Sequence, residues 1–273
     1  ATQMVVEMTS LQGAMGREYA LKAGKSQAVA DAIFEHWQPR GADDAIPTSN
    51  AGMALAIADK LDSLVGLFAA GLAPKSTSDP FGLRRAALGI VQIVVGKQID
   101  IDLRDAIDIT AQAQPIALAD EMRTQLLDFF KGRLDNWLAD ETDTPRDVIK
   151  AVLAEQAYNP YRALMGCQQL HRWTQREDWD HLLDNFSRCV RISRGEHEQH
   201  PIQPHLFQEE QETALYEEYQ DVARQLENEP SNVDDFLRAF APIVPTIVAY
   251  FEIVMVNADD DDLRHSRLGL MQA

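Results

Sequence analysis

Apolar side chains recur every three or four residues along almost the whole chain, and this spacing constrains the fold more than any other feature. One example is the stripe formed by Leu126, Phe130, Leu134 and Leu138. Such spacing places apolar side chains on one face of an α-helix, whereas the apolar residues of a strand alternate every second position. We therefore predict an all-α fold, and the chain shows neither an internal repeat nor a low-complexity tract.

One short stretch departs from the helical spacing. Residues 99–103 alternate apolar and acidic side chains, which is a pattern that a short strand also shows. Because the flanking segments have helical spacing, we predict a helical connection over residues 100–110.

Capping residues predict where several helices begin. Ser26 and Thr144 stand where an N-cap is expected, and Asp79 with Pro80 combines a capping carboxylate with a proline in the first turn. Helical spacing of methionine and leucine also predicts a helix over residues 4–15.

Length and composition favour two domains. A chain of 273 residues with 45% hydrophobic residues has more material than one ordinary core needs. We place the domains at residues 1–98 and 121–273, with a linker helix region at 99–120. No run of about 18 uncharged apolar residues occurs, so we expect no membrane span. The chain begins at Ala1 without an initiator methionine or a signal-peptide pattern, which suggests a fragment excised from a longer protein.

The two cysteines, Cys167 and Cys189, form no C-x-x-C pair and have no partner cluster in the sequence. We interpret them as packed thiols in a reducing compartment and expect a cytoplasmic protein.

The net charge of −18 is unevenly distributed. Residues 158–195 contain six arginines and four acidic residues, a local balance of +2. Residues 196–263 contain seventeen acidic residues and two arginines, a local balance of −15. Because the local field governs docking, a polyanion can still bind the arginine-rich segment of this acidic chain.

Three phrases lie in order near the start of the chain. They are LQGAMGREYA at 11–20, AIADKLDSL at 56–64 and PKSTSDPFGLRRAA at 74–87. Their order and spacing resemble the β subunit of the bacterial two-subunit glycyl-tRNA synthetases, which carries TELQG-MG-YA, ALADKLDTL and PTGSKDPFALRRAA phrases. One such phrase is weak support for a family, whereas three in register are specific.

Further phrases extend the resemblance over nearly the whole chain. They are FFKGRL at 129–134, DVIKAVLA at 147–154, RCVRI at 188–192 and FEIVMVN at 251–257. The third phrase departs from the family pattern, because Arg188 and Cys189 stand in place of Lys-Arg. The resemblance implies part of an HD-type helical domain over residues 1–98, followed over 121–273 by an α-helical, DALR-like anticodon-binding domain.

The resemblance also implies a function. The parent enzyme uses ATP with magnesium to join glycine to its tRNA, and the α subunit performs that chemistry. The expected partners are glycine tRNA and the α subunit, with neither DNA nor a membrane among them. The sequence shows no glycine-rich phosphate loop and no nucleophile arrangement, so we predict that this part alone is non-catalytic and uses no cofactor. Two alternatives remain open: an HD-type metal-dependent phosphohydrolase, and a purely structural module that holds subunits together.

Phosphate contacts require long cationic side chains, which makes arginines the candidate tRNA-binding residues. The candidates form three groups: Arg188, Arg191 and Arg194; Arg172; and Arg84 with Arg85. Arg188 and Arg191 are one helical turn apart, with Arg194 near the C-terminal end of the same predicted helix. The resemblance supports this first group more than Arg172. Arg84 and Arg85 either contact RNA or tie the two domains together.

A metal site is not predicted. His36 and Asp59 are possible remnants of an HD-type site, but the chain has no adjacent His-Asp pair, and two ligands are too few for a closed site. We interpret His36 as packing at a helix end, and Asp59 as capping a helix or pairing with Lys60.

Two other polar groups have ordinary interpretations. His197, His200 and His205 fall in a proline-bounded polar segment, which we interpret as a solvated loop. Arg264 and Arg267 are expected to pair with the acidic residues at 259–262.

Overall fold

The computed structural model describes residues 7–75, 78–227 and 232–273. Within these ranges every regular element is helical, apart from one isolated bridge between Lys75 and Ser78. The all-α prediction is therefore confirmed. The chain divides into two compact units, Ala1–Cys167 and Gln168–Ala273, which we call unit 1 and unit 2.

Unit 1 consists of consecutive helices joined by short loops, preceded by a 3-10 turn at Thr9–Leu11. The helices are α1 (Ala14–Lys22), α2 (Gln27–Glu35), α3 (Asn50–Ala69), α4 (Leu83–Gly96), α5 (Leu103–Gln112), α6 (Asp120–Glu141), α7 (Arg146–Glu155) and α8 (Pro160–Thr174). Helix α8 runs across the division between the units.

Unit 2 continues with α-helices and two 3-10 turns, Pro204–Leu206 and Ala241–Ile243. The helices are α9 (Trp179–Ser193), α10 (Glu210–Glu227), α11 (Val233–Phe240), α12 (Val244–Ile253) and α13 (Asp261–Gln272).

The helix predicted over residues 4–15 is wrong for most of its described part. Residues 4–6 lie outside the described residues. Glu7 and residues from Ala14 onward are helical, but between them the chain forms the 3-10 turn and then bends at Gly13, whose φ is +82°. A Cβ on Gly13 would lie 3.1 Å from the carbonyl oxygen of Phe34 and 3.2 Å from Cδ1 of Trp37. The chain turns here because only glycine fits this backbone conformation at so close an approach.

The predicted helix start at Asp79 and Pro80 is displaced. Helix α4 begins at Leu83, after Gly82 in the left-handed conformation with φ of +68°. The carboxylate of Asp79 nevertheless accepts hydrogen bonds from the amides of Leu83 (2.8 Å) and Arg84 (2.9 Å). Asp79 therefore caps α4, although it lies four residues before Leu83, the first residue of the helix.

The other helix starts give a mixed outcome. Ser26 caps α2 as predicted, and α5 confirms the helical interpretation of residues 100–110, with Asp102 as its N-cap. The capping role predicted for Thr144 is wrong, because Pro145 occupies the N-cap position of α7.

The core of unit 1 forms where α3, α4 and α6 pack together. Its largest fully buried side chains include Leu64, Phe68, Ile90, Leu126 and Phe130. The apolar stripe of α6 thus packs on helices that precede the predicted linker at 99–120. For this reason unit 1 extends to Cys167, whereas the predicted second domain began at residue 121. The HD-type and anticodon-binding names of the predicted domains stay predictions.

A buried carboxylate joins α2 to α3. Glu35 accepts hydrogen bonds from the amides of Thr48 (3.0 Å) and Ser49 (3.2 Å) and from both hydroxyl groups. Burial alone would raise the pKa of Glu35, but these hydrogen bonds outweigh it and lower the pKa. The negative charge lies at the N-terminus of α3, where the helix dipole favours it. A Cβ on Gly52 would collide with the Glu35 side chain, so this junction also requires glycine.

The core of unit 2 surrounds a buried ion pair. Arg267 of α13 donates to Glu212 of α10 through Nε (2.8 Å) and Nη2 (3.0 Å), and both side chains are almost fully buried. Arg267 also donates to the carbonyl of Met255 at 2.9 Å. The prediction that Arg267 pairs with residues 259–262 is therefore wrong, whereas Arg264 does pair with Asp261 at 2.8 Å.

One segment of unit 2 has the length and composition of a membrane-spanning helix. Val233–Ile253 is 21 residues long with a mean hydropathy of 1.5 over its most apolar window. It is divided into α11, a 3-10 turn and α12, and it supplies Leu237, Ile243, Ile247 and Tyr250 to the core of the unit. Only 28% of that window is buried, although helices of globular domains also reach this composition.

Candidate functional site

Three arginines share the solvent side of α9. Arg188 and Arg191 lie in its last turns, Arg194 follows its C-terminal end, and all three side chains are exposed. The opposite side of the helix is buried through Leu182 and Asn185. We call Arg188, Arg191 and Arg194 the arginine face. The structure therefore brings together the first group of predicted tRNA-binding residues.

The contacts of the arginine face leave its charges available. The guanidinium of Arg188 lies over the ring of Phe251, 4.0 Å from its centroid. Nε of Arg191 donates to the carbonyl of Ser187 at 3.2 Å, inside the same helix. Aromatic and carbonyl partners orient a guanidinium without neutralising its charge. An ordinary role also exists, since cations near a helix C-terminus stabilise the helix dipole.

Ion pairing separates these three arginines from most others. The chain has 18 arginines, and twelve of them pair with a carboxylate in the described part of the chain. Within the same described residues, no arginine of the arginine face pairs with a carboxylate. On a chain with a net charge of −18, three uncompensated cations on one helix form a local anion-binding surface.

Arg172 has a different environment. Its Nη2 lies 3.6 Å from Oδ2 of Asp234, and Arg238 approaches the same oxygen at 3.1 Å. Oδ1 of Asp234 accepts a hydrogen bond from Nε1 of Trp173 at 2.7 Å. Arg172 therefore belongs to a network that fixes α8 to α11, and much of its charge is compensated.

Exposed aromatic residues on α9 and α11, on another side of α9 from the arginine face, were missed by the sequence reasoning. Phe186 of α9 meets Phe236 and Phe240 of α11 edge to face, with ring centroids 6.1 and 5.6 Å apart. Phe186 and Phe236 are each more than a third exposed. The signal was available, because Leu183, Phe186 and Val190 form a second apolar stripe beside the buried one.

Unit 1 contains a cleft of about 620 Å³ between α3, the start of α4 and the turns around α1 and α2. All three phrases from the first part of the sequence contribute to it. Gln12 comes from the first, Asp59, Lys60 and Ser63 from the second, and Arg85 from the third. The first and second segments are about 45 residues apart in the chain, and the second and third are about 20 residues apart. All three nevertheless line one site.

The floor of this cleft holds a buried lysine. Nζ of Lys60 donates to the carbonyls of His36 (3.1 Å) and Gln38 (2.9 Å), which end α2. Its stem passes Gly89 of α4, where a Cβ would lie 2.9 Å from Cε. Burial lowers the pKa of Lys60 to about 8. The capping role predicted for Asp59 is wrong, because Asp59 lies within α3, which Ser49 caps. Its predicted pairing with Lys60 is borne out only as a charge interaction, by which Asp59 raises the pKa of Lys60 against the larger effect of burial.

Arg84 and Arg85 lie in the first turn of α4, because the helix begins at Leu83 and not at the predicted Asp79 and Pro80. Arg84 is half-buried, and its amide donates to Asp79. Arg85 is exposed, lines the cleft and has no ion pair among the described residues. Its guanidinium folds back over Gly82, where a Cβ would lie 3.0 Å from Nη2.

The histidines are not gathered into a metal site. No group of three or more His, Cys, Asp or Glu side chains in the described ranges is placed to hold a metal ion. His36 ends α2 and its ring lies 5.4 Å from that of Trp37, which confirms its packing role. His197 and His205 are exposed, but His200 stacks on His265 at 4.5 Å and contacts Glu196 at 3.0 Å.

The loop that carries His200 is held by α13. The amide of His200 donates to Oε1 of Gln272 at 2.9 Å, and that of Gln203 donates to the hydroxyl of Ser266 at 2.8 Å. The interpretation of this segment as a solvated loop is therefore wrong for residues 200–203, which α13 holds in place.

Comparison with known proteins decides the family. A family model described as "Glycyl-tRNA synthetase beta subunit" matches residues 1–154, more than half of the chain. The chain belongs to the glycyl-tRNA synthetase beta subunit family. The resemblance found in the sequence is thereby confirmed, and the matched region contains the whole cleft of unit 1.

Relatives extend the likeness over both units of this beta-subunit family member. It is 35% identical to the glycine–tRNA ligase beta subunit of Persephonella marina, covering 99% of this chain and 41% of that protein. It is 36% identical to the glycine–tRNA ligase beta subunit of Syntrophus aciditrophicus, and the match covers 100% of this chain and 40% of that protein. The chloroplastic/mitochondrial glycine–tRNA ligase 2 of Arabidopsis thaliana is 35% identical over 99% of this chain and 25% of its own length. The chain thus spans about two fifths of these bacterial relatives.

Proposed function

We propose that this chain is the tRNA-recognition part of a glycine–tRNA ligase beta subunit, and that unit 2 binds the anticodon arm of glycine tRNA. The observation that carries the proposal is the arginine face of α9, whose three cations have no carboxylate partner within the described residues. Guanidinium groups suit phosphate oxygens because they donate in a planar fork and keep their charge at any physiological pH.

Exposed aromatic residues in the same unit support RNA as the polyanion. Loops of RNA present unstacked bases, which proteins bind on exposed aromatic rings. Phe186 of α9 and Phe236 of α11 offer such rings in the same unit, on another side of α9 from Arg188 and Arg191. In this arrangement the arginines contact phosphates and fix the position of the RNA, and the rings contact unpaired bases.

The catalytic step belongs to another subunit in this proposal. The α subunit uses ATP with magnesium to activate glycine, and this chain positions the tRNA so that its acceptor end reaches that site. Binding energy from a remote part of the substrate then promotes the reaction by placing the reacting groups together. The chain alone has no catalytic activity, and the assembly works in the cytoplasm. Arg172, Arg84 and Arg85 stay candidate RNA contacts.

The test is a salt titration of binding to glycine tRNA. Replacing Arg188 and Arg191 by alanine should weaken binding and lower the slope of log K against log salt by about 1.4, since each phosphate contact on a single strand contributes about 0.7. A second titration uses glycine tRNA with altered anticodon bases, for which we expect weaker binding with an unchanged slope.

A matched control removes two other exposed arginines of unit 2. Arg224 and Arg238 already pair with Asp221 and Asp234, so their replacement by alanine should leave the slope nearly unchanged. Equal effects of the two double variants would contradict the assignment of the arginine face. A wild-type chain that binds no tRNA would instead favour a structural module for subunit assembly.

A further inference from the structure

The cleft of unit 1 has a charge opposite to that of the chain. Its lining contains three cationic side chains, Arg40, Arg85 and Lys60, and one carboxylate, Asp59. Arg40 is neutralised by Asp44, to which it donates through Nε at 2.7 Å. Arg85 and Lys60 remain, so the cleft has a positive balance on a chain with net charge −18.

Both remaining cations retain donors for a ligand. Arg85 is exposed and forms no ion pair within the part of the chain that the structure describes. An ammonium group has three N–H donors, and Lys60 uses two of them on the carbonyls of His36 and Gln38. A fork of guanidinium donors and a fixed ammonium that line the same cleft suit a phosphate group.

Aromatic surface lies beside these donors. Phe81 lines the cleft and is 53% exposed, although it immediately precedes the tightly packed start of α4. Trp37 lines it too, and its ring lies so close to Gly13 that a Cβ there would be 3.2 Å from Cδ1. The hydroxyl of Ser63 and the carboxylate of Asp59 provide acceptors one helical turn apart on α3.

The cleft therefore combines the groups that recognise each part of a nucleotide. An aromatic ring stacks on a base, a guanidinium binds a phosphate, and a carboxylate accepts hydrogen bonds from ribose hydroxyls. A cavity of about 620 Å³ lies within the range of small-molecule sites.

We propose that the cleft of unit 1 binds a nucleoside monophosphate, either free or as an unpaired nucleotide of an RNA strand, with Arg85 on the phosphate and Phe81 on the base. This site is separate from the arginine face of α9 and does not depend on the function proposed for that face.

The experiment measures calorimetric binding of AMP, adenosine and ribose 5-phosphate to the full chain at millimolar concentrations. The wild type should bind AMP more tightly than either part. Arg85→Ala should weaken AMP binding about tenfold and leave adenosine binding unchanged, since only the phosphate contact is lost. Phe81→Leu keeps the apolar volume but loses the ring, so it should weaken AMP and adenosine and leave ribose 5-phosphate unchanged.

Controls make the outcome decisive. Arg146→Ala removes an exposed arginine of unit 1 that pairs with Asp135 and lies outside the cleft, and it should bind AMP like the wild type. The Arg188→Ala, Arg191→Ala double variant should also bind AMP like the wild type. This control distinguishes failure of the nucleotide proposal from failure of the tRNA proposal. Circular dichroism and thermal melting confirm that each variant is folded.

Two results would overturn the proposal: no AMP binding by the folded wild type, or equal weakening by Arg85→Ala and Arg146→Ala. The source of the nucleotide is identified by comparing AMP with the dinucleotide ApA. Binding of ApA about tenfold tighter than AMP indicates an RNA strand, whereas equal or weaker binding indicates a free nucleotide.

Discussion

Unit 1 and unit 2 stabilise buried charges in different ways. In unit 1, Glu35 and Lys60 are buried separately. Glu35 binds backbone amides and hydroxyl side chains, and Lys60 binds backbone carbonyls. In unit 2, Glu212 and Arg267 are buried against each other, with two parallel hydrogen bonds. The first arrangement completes the ends of neighbouring helices, whereas the second joins helices that are distant in sequence.

This difference shows which partners keep each buried charge stable. Glu35 satisfies amides at the start of α3, and Lys60 satisfies carbonyls at the end of α2, so each replaces a missing intrahelical partner. Glu212 and Arg267 satisfy each other and also bind the amides of Gln208 and Glu209 and the carbonyl of Met255. Removing one member of the pair leaves an opposite charge buried, which does not happen in unit 1.

The largest expected effect is therefore in unit 2. Arg267→Met should lower the free energy of unfolding by about 3–5 kcal/mol, because Glu212 is left buried without its cation. Adding Glu212→Gln, which keeps a carbonyl oxygen for the two amides, should restore part of that loss. Urea unfolding of the wild type, both single variants and the double variant measures the coupling. A double variant as unstable as the sum of the singles would show that the two charges are not coupled.

A smaller effect is expected in unit 1. Lys60→Met should lower the free energy of unfolding by about 1–3 kcal/mol, because two carbonyls lose their donor while the cost of burying an ammonium is removed. Adding Glu35→Gln should not restore stability, since neither residue is the partner of the other. Urea unfolding measures this as well. A double variant more stable than Lys60→Met alone would show that Lys60 and Glu35 are coupled, as Arg267 and Glu212 are in unit 2.

The pH dependence sharpens the contrast. The pKa of Lys60 is about 8 in the folded chain, against an ordinary value of 10.5. Between these values the unfolded chain holds a proton that the folded chain has released, so stability rises with pH by about 1.4 kcal/mol per unit. Below pH 8 both states are protonated and this dependence vanishes. The difference in unfolding free energy between wild type and Lys60→Met should therefore increase from pH 8 to 10, and a constant difference would contradict burial of the ammonium.

The smallest effects can be followed separately in the two units. Cys167 belongs to unit 1 and Cys189 to unit 2, and burial raises the pKa of each thiol to about 11. Both should react slowly with iodoacetamide near neutral pH, since the thiolate is scarce and access requires local opening. Lys60→Met should accelerate alkylation mainly at Cys167, and Arg267→Met mainly at Cys189. Peptide mass spectrometry measures both rates, and equal acceleration at both thiols would mean that the units open together.

The candidate sites were predictable to different degrees. The arginine face was identified from sequence because three arginines at helical spacing share one side of a helix whatever that helix packs against. Phe186 was missed although it stands in a second apolar stripe of α9, because periodicity does not show whether such a stripe is buried or exposed. The convergence of Asp59 and Arg85 on one cleft was also beyond prediction, because it depends on how α3 and α4 cross.

The two compact units do not coincide with the predicted domains, which stay a prediction, for a related reason. The sequence shows that the stripe of α6 must be buried, but not which helices bury it. Residues Leu126 and Phe130 pack on the core formed by α3 and α4, so the first unit continues past the expected division. Periodicity defines the apolar face of a helix and leaves its partner open.

The sequence by itself determined the helical class, the family and the position of the surface arginines, because spacing and motif are local properties of the chain. Only the tertiary structure decided that Glu35, Lys60, Glu212 and Arg267 are buried. The physical reason is that a charge can leave water only where donors or acceptors from other segments replace its hydration. Those partners lie up to 55 residues away, as Glu212 and Arg267 do, and folding alone brings them together.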